Sequence, residues 1–270
     1  MSGPAKTLRY GRKIAPLFPI PALDSISRAG RGLLEQIDCL AGSARESDMH
    51  FILQWLAKDP ANNPRTQPLP VAVLRHDLSE YFMALSPPKS RPARSLAEIG
   101  ALSALSTSAR ELFTKTPDGM QQAVVRIAGT VSGDDAALRS GPVRTTQDLA
   151  GNYVLYPPAA DVPARLDALG LFLERYGTCA PSFAAMVVMN GICNCHPIAD
   201  GNGRVSRIVF NAILRERAGT RFYLPLYELA ALSDGGFTIR QRQAQYRGDW
   251  DPLIAYLFDA ARIVLCRGDR

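Results

Sequence analysis

The chain has 270 residues, of which 47% are hydrophobic and 21% charged, so it is long enough and apolar enough for one large globular domain or two small ones. Its formal net charge is +6, but it contains no signature of a nucleic-acid-binding module and no apolar run of eighteen residues, so we expect neither nucleic acid nor a membrane as a partner. The five cysteines have no framework spacing, which indicates a reducing compartment such as the cytoplasm.

The first 23 residues are predicted to form a flexible basic arm. Four basic residues and no acidic one precede Asp24, and several prolines interrupt the segment. It has no apolar h-region, so it does not resemble a secretory signal peptide. The protein is therefore expected in the cytoplasm, or as an effector exported by a route that needs no such signal.

Apolar residues at helical spacing predict helices along most of the remaining chain. Two polar, proline-rich connections at 62–70 and 86–92 interrupt them. In the fourth predicted helix, Ser95 and Glu98 have the spacing of a capping box, with Ser95 as the N-cap. The predicted helices span residues 26–40, 49–56, 71–85, 95–113, 116–127, 162–176, 181–195, 203–218, 226–232 and 250–266.

Residues 129–158 differ from the rest, because glycines and short polar runs alternate there with β-branched and aromatic residues. This pattern predicts a loop and a short hairpin that ends at Pro157-Pro158. The strand signal is confined to this segment, so the predicted fold class is all-α. The predicted organisation is an arm at 1–23, a helical N-terminal region at 24–92, and a C-terminal domain at 93–270.

The residues that carry chemistry are concentrated in the segment 196–207, H-P-I-A-D-G-N-G-R-V-S-R. The run Gly201-Asn202-Gly203 opens a helix, and successive N–H groups at such a turn form a nest for an anion. Arg204 and Arg207 follow three residues apart and share one helix face. Two guanidinium groups above a nest of N–H groups suit a polyphosphate.

Two further residues of this segment complete a reactive site. Asp200 lies beside the predicted phosphate nest. A carboxylate there would repel bound phosphates unless a cation such as Mg²⁺ lay between them. His196 can accept a proton from an attacking hydroxyl, and Pro197 ends the preceding helix directly after it. Each feature alone is typical of a turn or a solvated helix face, but together they indicate phosphoryl or nucleotidyl transfer.

This segment resembles the motif of the Fic family, H-P-F-x-[D/E]-G-N-[G/K]-R-x-x-R, with Ile198 in place of the phenylalanine. Residues 139–158 are similar to the flap hairpin of the family, and residues 248–254 to a stretch of its last core helix. The resemblance covers about 115–266 and leaves residues 1–90 unassigned. It implies an all-α, Fic-type helical bundle with a short β-hairpin flap, and a Fic domain at 93–270.

The resemblance implies a protein adenylyltransferase that moves AMP from ATP onto a Ser, Thr or Tyr hydroxyl of a target protein. His196 would deprotonate that hydroxyl and Asp200 would bind Mg²⁺. Arg204 would contact the β-phosphate and Arg207 the γ-phosphate. The nest of Gly201, Asn202 and Gly203 would hold the α- and β-phosphates, and the flap residues Tyr153, Val154 and Leu155 would clamp the target backbone by strand addition.

Many members of the family also carry an inhibitory helix with the pattern [S/T]-x-x-x-E-[G/N], whose glutamate blocks the γ-phosphate site. Thr107 and Glu111 match the first part of this pattern, within a helix predicted at 95–113, whereas Leu112 departs from it. If Glu111 does not have this role, an antitoxin chain or self-association would supply the control, or there is none.

Two alternatives stay open at this point. The same fold can transfer a phosphoryl group, phosphocholine or UMP, or remove AMP, although Gly203 in place of lysine argues against the phosphorylating branch. The second alternative is a nucleotide-binding regulator that does not catalyse. Retention of His196 speaks against it, because a binder needs no base at that position.

Overall fold

The structure, a computed structural model, describes residues 13–14, 20–62, 69–85, 94–105, 118–132, 135–145, 151–217, 219 and 222–266. The described residues form eleven α-helices and two short strands. In chain order these are β1 (Lys13–Ile14), α1 (Arg28–Ser43), α2 (Glu46–Leu56), α3 (Ser79–Leu85), α4 (Ser95–Leu105), α5 (Gly119–Ser132), β2 (Tyr153–Val154), α6 (Val162–Tyr176), α7 (Pro181–Cys195), α8 (Asn202–Arg217), α9 (Leu226–Leu232), α10 (Gly236–Arg247) and α11 (Asp251–Leu265). The predicted fold class is confirmed.

Helix α7 lies at the centre of the bundle. It is apolar on all sides, and all but one of its residues are buried, as expected for a helix surrounded by others. Helices α6 and α8 pack against its two sides, and α1 packs against its beginning. The C-terminal end of the most deeply buried helix therefore carries the loop that contains the predicted site. None of the described helices is both long enough and apolar enough to span a bilayer.

The N-terminal helices share this core instead of forming a second one. Helix α1 packs along α11, and one continuous hydrophobic cluster contains residues from both. Polar contacts fix α1 against α7, since the Ser182 N–H donates to Asp38 at 2.8 Å and the Ser182 hydroxyl donates to the Leu34 carbonyl at 3.0 Å. The regions predicted at 24–92 and 93–270 are thus packed together.

Two helical segments differ from the prediction. The helix predicted at 71–85 is a 3₁₀ turn, Val71–Leu74, followed by α3. The helix is interrupted at His76, which forms hydrogen bonds to residues at the start of α3. Its N–H donates to the Ser79 hydroxyl at 3.0 Å, and its ring accepts from the Leu78 N–H. Helix α10 was not predicted, since its sequence is mostly polar and has weak periodicity. Of the helix predicted at 95–113 the structure describes 95–105, and the next helix extends past 127 to Ser132.

The arm at 1–23 is not irregular throughout. Residues Lys13–Ile14 form β1, which pairs in parallel with β2, so that Lys13 lies opposite Tyr153 and Ile14 opposite Val154. The sequence of the arm has no alternating pattern, and the strand forms because β2 offers main-chain groups along its edge. The predicted hairpin is present, with an antiparallel bridge between Arg144 and Leu155.

Candidate active site

His196 stands directly after α7 in a left-handed backbone conformation, with φ 50° and ψ 60°. Its N–H donates to the Ile192 carbonyl at 2.9 Å and so still belongs to the last helical turn. A left-handed residue with a side chain costs roughly 1–2 kcal/mol, so the surroundings must hold it there. The turn directs the chain out of the core and into the loop 197–201.

Arg139 holds the carbonyl groups at this helix end. Its Nε donates to the His196 carbonyl at 2.7 Å, and Nη2 donates to the Cys195 carbonyl at 3.1 Å and to the Pro157 carbonyl at 2.6 Å. The remaining nitrogen donates to Gly141 at 2.8 Å, and the Arg139 main-chain N–H donates to the Pro197 carbonyl at 2.8 Å. One buried side chain thus ties the loop after His196 to the end of the flap, a role that the sequence did not reveal.

The His196 ring is stacked on the Tyr156 ring, with centroids 3.9 Å apart and an angle of 16° between the planes. Burial lowers the pKa of His196 to about 4, against an ordinary value of 6.5. The imidazole is therefore neutral at neutral pH, the form that accepts a proton. Burial also raises the pKa of Tyr156, which stays protonated and acts here as a packing surface.

The loop after His196 is closed by the side chain of Asn202. Its Oδ1 accepts from the Ile198 N–H at 3.0 Å, and its Nδ2 donates to the Ile198 carbonyl at 2.7 Å. Both residues are buried, and Ile198 belongs to the hydrophobic core. Because the amide side chain is used inside the loop, Asn202 can contribute to an anion site only through its main-chain N–H.

Gly201 and Gly203 let the two arginines approach the start of α8. Gly201 has φ 86°, and a Cβ there would lie 3.2 Å from the Arg204 guanidinium. A Cβ at Gly203 would lie 3.3 Å from Arg207. The first N–H groups of a helix have no partner within it and carry a partial positive charge. The structure thus places both guanidinium groups beside these N–H groups.

Asp200 is exposed, with 95% of its side chain accessible. Its Oδ2 accepts from Arg204 at 3.4 Å, and the exposed carboxylate can still be reached by a cation. In the part of the chain that the structure describes, no three His, Cys, Asp or Glu side chains gather into a metal cage. A single carboxylate beside a phosphate nest still fits Mg²⁺, which takes most of its ligands from water and substrate phosphates.

Arg207 is paired with a glutamate that the sequence analysis had assigned to a capping box. Its Nε lies 3.2 Å from both carboxylate oxygens of Glu98, and Nη2 donates to Oε1. The Tyr223 hydroxyl donates to Oε2 at 2.7 Å. Glu98 is 1% exposed and Arg207 14%. Burial works against the charge of Arg207, but the pair with Glu98 outweighs it and raises the pKa of Arg207.

Helix α4 is held in place by Glu228 of α9. The N–H groups of Arg94 and Ser95 donate to its Oε1 at 3.0 and 3.1 Å, and the Ser95 hydroxyl donates to Oε2. The predicted capping box is therefore wrong, since a carboxylate from another helix caps α4. The Glu98 side chain is thus left to pair with Arg207, and Glu98 and Arg204 both line a neighbouring cavity of about 620 Å³.

Thr107 and Glu111, the predicted inhibitory residues, lie outside the described residues. Glu98 lies in the same predicted helix, but its flanks do not match the pattern, with Ser95 three residues before it and Gly100 two residues after it. One sequence signal was available. Glu98 is the only charged residue between Ser95 and Leu105, and a lone carboxylate on an apolar helix needs a partner.

The flap residues Tyr153, Val154 and Leu155 directly precede Tyr156, whose ring is stacked on His196. Val154 is buried and accepts from the Thr145 N–H at 3.0 Å, while its own N–H donates to the Thr145 hydroxyl at 2.9 Å. Strand β2 thus has one edge bonded within the flap and one edge facing β1.

Comparison with known proteins agrees with this geometry. Residues 111–214 match the model of the Fic/DOC family. A Fic family protein from Desulfovibrio desulfuricans superposes with a TM-score of 0.56 at 18% identity, covering 92% of this chain and 75% of that chain. A fragment of Fic-1 from C. elegans gives a TM-score of 0.56 at 17% identity, covering 90% of this chain and 73% of that chain. These likenesses show a shared fold. No curated protein matches.

Proposed function

We propose, from the premise that residues 111–214 belong to the Fic/DOC family, that the chain is a protein adenylyltransferase. The proposal rests on the residues that one short segment brings together. A neutral histidine, an exposed carboxylate, and a helix start flanked by two guanidinium groups all lie within residues 196–207. A base, a cation ligand and a polyphosphate site are the parts that transfer of a nucleotide to a hydroxyl requires.

In the proposed reaction, His196 takes the proton of a Ser, Thr or Tyr hydroxyl on the target protein. The freed oxygen bonds to the α-phosphorus of ATP, the bond from that phosphorus to the bridging oxygen breaks, and pyrophosphate leaves. Arg204 and the N–H groups of residues 201–203 bind the phosphates and stabilise their charge. Asp200 would hold Mg²⁺, which when bound neutralises part of the charge on the phosphates.

We further propose that Glu98 keeps the site inhibited, in the place that the sequence analysis gave to Glu111. The phosphate that Arg207 would bind competes with the Glu98 carboxylate for the same guanidinium group. The N-terminus of α4 is anchored by Glu228, so Glu98 cannot leave without breaking a buried pair or moving the helix. Activation would therefore require a partner or a change that displaces α4.

The proposed function is tested by incubating the protein with Mg²⁺, a cell lysate and either α-³²P-ATP or γ-³²P-ATP. We expect protein labelling from the α-phosphate only. His196→Ala should reduce labelling by about 10²- to 10⁴-fold, the usual effect of removing a general base, while leaving nucleotide binding nearly unchanged. Labelling from both nucleotides would indicate phosphoryl transfer instead, and a fully active His196→Ala variant would contradict the role of the histidine.

A further inference from the structure

The outer edge of strand β2 is occupied by the chain itself. Strand β1, which consists of Lys13–Ile14, runs parallel to Tyr153–Val154 along this edge. The other edge is bonded within the flap, where Val154 accepts from Thr145 and the Tyr156 N–H donates to Val143 at 3.1 Å. Main-chain groups of successive strand residues point to opposite sides. The groups of Tyr153 and Leu155 are therefore the ones that face β1.

This edge leads to the candidate base. Leu155 is followed by Tyr156, whose ring is stacked on His196 at 3.9 Å. Since β1 and β2 are parallel, Lys13–Ile14 run in the same direction as the strand that leads to Tyr156. The chain is next described at Ile20, which with Pro21 lines a cavity shared with Gly191 and Asn194, in the last turns of the helix that carries His196.

The sequence around the paired residues offers no group to be modified. No Ser, Thr or Tyr occurs between Tyr10 and Ser25. A segment that occupies the edge beside a transferase site, yet offers no hydroxyl there, can exclude a substrate but cannot react.

We infer that the N-terminal arm is a hydroxyl-free stand-in for the extended segment of a target protein that binds along Tyr153–Leu155, so that arm and target compete for this edge. The inference rests on the proposed function. It also specifies the partner: an extended segment that pairs with β2 in parallel and carries a hydroxyl residue. Main-chain pairing supplies the affinity in this mode of recognition.

The first test needs no turnover and uses amide hydrogen exchange of the full chain, followed residue by residue by NMR. In this register the Ile14 N–H points to β2 and the Lys13 N–H points away. Ile14→Pro should therefore speed exchange of the Leu155 amide by tenfold or more, whereas Lys13→Pro, a matched control, should not. The Tyr156 amide, bonded to Val143, is an internal reference that stays protected in both variants. Equal Leu155 exchange in the wild type and Ile14→Pro would overturn the inference.

The second test measures labelling of lysate proteins from α-³²P-ATP. Ile14→Pro should increase the initial rate by roughly tenfold, the effect of removing one or two competing hydrogen bonds, and Lys13→Pro should leave it unchanged. If Ile14→Pro frees the Leu155 amide but His196-dependent labelling does not rise, the arm is only a structural strand and the inference fails. Absence of labelling in every variant, even when each is combined with Glu98→Gln, would instead contradict the proposed function. The exchange rates would still decide whether the arm occupies the edge.

Discussion

At the scale of single residues, the protonation state of His196 has a testable consequence. Its pKa is lowered to about 4, so the neutral form persists well below neutral pH. We expect kcat/KM for labelling to stay constant from pH 7 down to about pH 5 and to fall below about pH 4 as the base is protonated. With an exposed histidine as the base, kcat/KM would already begin to fall near pH 6.5. A profile that already falls at pH 6.5 would contradict the buried state of the ring.

The lowered pKa of His196 also makes the stability of the fold depend on pH. Between pH 6.5 and about 4 the unfolded chain binds a proton at His196 that the folded chain does not. The free energy of unfolding should therefore decrease as the pH is lowered through this window. Thermal unfolding measured at each pH shows how much of any loss of activity comes from unfolding. His50→Ala, on the exposed side of α2, should leave the pH dependence of both activity and stability unchanged.

The second residue-scale prediction concerns the pair of Glu98 and Arg207. Glu98→Gln removes the charge that holds Arg207, so the guanidinium can turn to a phosphate. Hydrogen bonds to a charged group contribute about 1.5–3 kcal/mol, so we expect a non-hydrolysable ATP analogue to bind roughly ten- to a hundredfold more tightly, with labelling raised in parallel. Isothermal titration calorimetry measures the affinity.

The matched control for this prediction is Glu174→Gln, which removes an exposed carboxylate from α6. It should leave affinity and labelling unchanged. Unchanged affinity in Glu98→Gln as well would show that the pair serves only to stabilise the fold. A lower Tm is expected in either case, because the variant leaves Arg207 buried with a weaker partner.

At the scale of elements, Arg139 joins three pieces of chain: the end of α7, the loop after it and the end of the flap. Arg139→Ala would leave several buried carbonyl groups without a donor, at about 1–3 kcal/mol each. We expect a lower Tm together with a kcat reduced more than the KM for ATP, since the nucleotide contacts remain while His196 loses its support.

Arg139→Lys separates positioning from stability, because lysine keeps the charge but cannot supply donors in the same planar arrangement. It should retain most of the Tm and still lose kcat. Arg126→Ala, which removes an exposed arginine from α5, is the control and should change neither quantity. A variant Arg139→Lys with wild-type kcat would show that only the charge of Arg139 matters.

At the scale of the whole molecule, the N-terminal helices belong to the same core as the loop after His196. One tight contact is at Gly30 of α1, where a Cβ would collide with the Asp251 carboxylate at the start of α11. Gly30→Ala should therefore destabilise the protein by about 1–3 kcal/mol, the usual cost of overpacking. Chemical denaturation followed by circular dichroism measures the change.

Gly32 provides the comparison, because it lies in the same helix and a Cβ there would meet nothing within 4 Å. Gly32→Ala should stabilise the protein by about 0.5–1 kcal/mol through helix propensity. Both variants should unfold in a single transition if the core is continuous. A separate transition of the N-terminal helices, or equal effects of the two substitutions, would contradict the close packing of α1 on α11.

The sequence by itself determined the helical class, the position of most helices and the segment 196–207. These are local properties. Helical periodicity, a proline that stops a helix and glycines that open one act within a few residues of chain, so their pattern can be recognised without knowing what lies nearby.

Only the tertiary structure decided which distant residues complete the site. Glu98 was placed in a local capping box, but α4 is capped by Glu228 and its own carboxylate reaches Arg207, 109 residues away in the chain. Arg139 and the strand at Lys13–Ile14 were missed because hydrogen bonds between distant segments leave no periodic trace in the sequence. The hydrogen-bond partner of a buried side chain depends on how the helices pack. Packing brings residues together that are far apart in the sequence, so the sequence alone does not show which of them will be in contact.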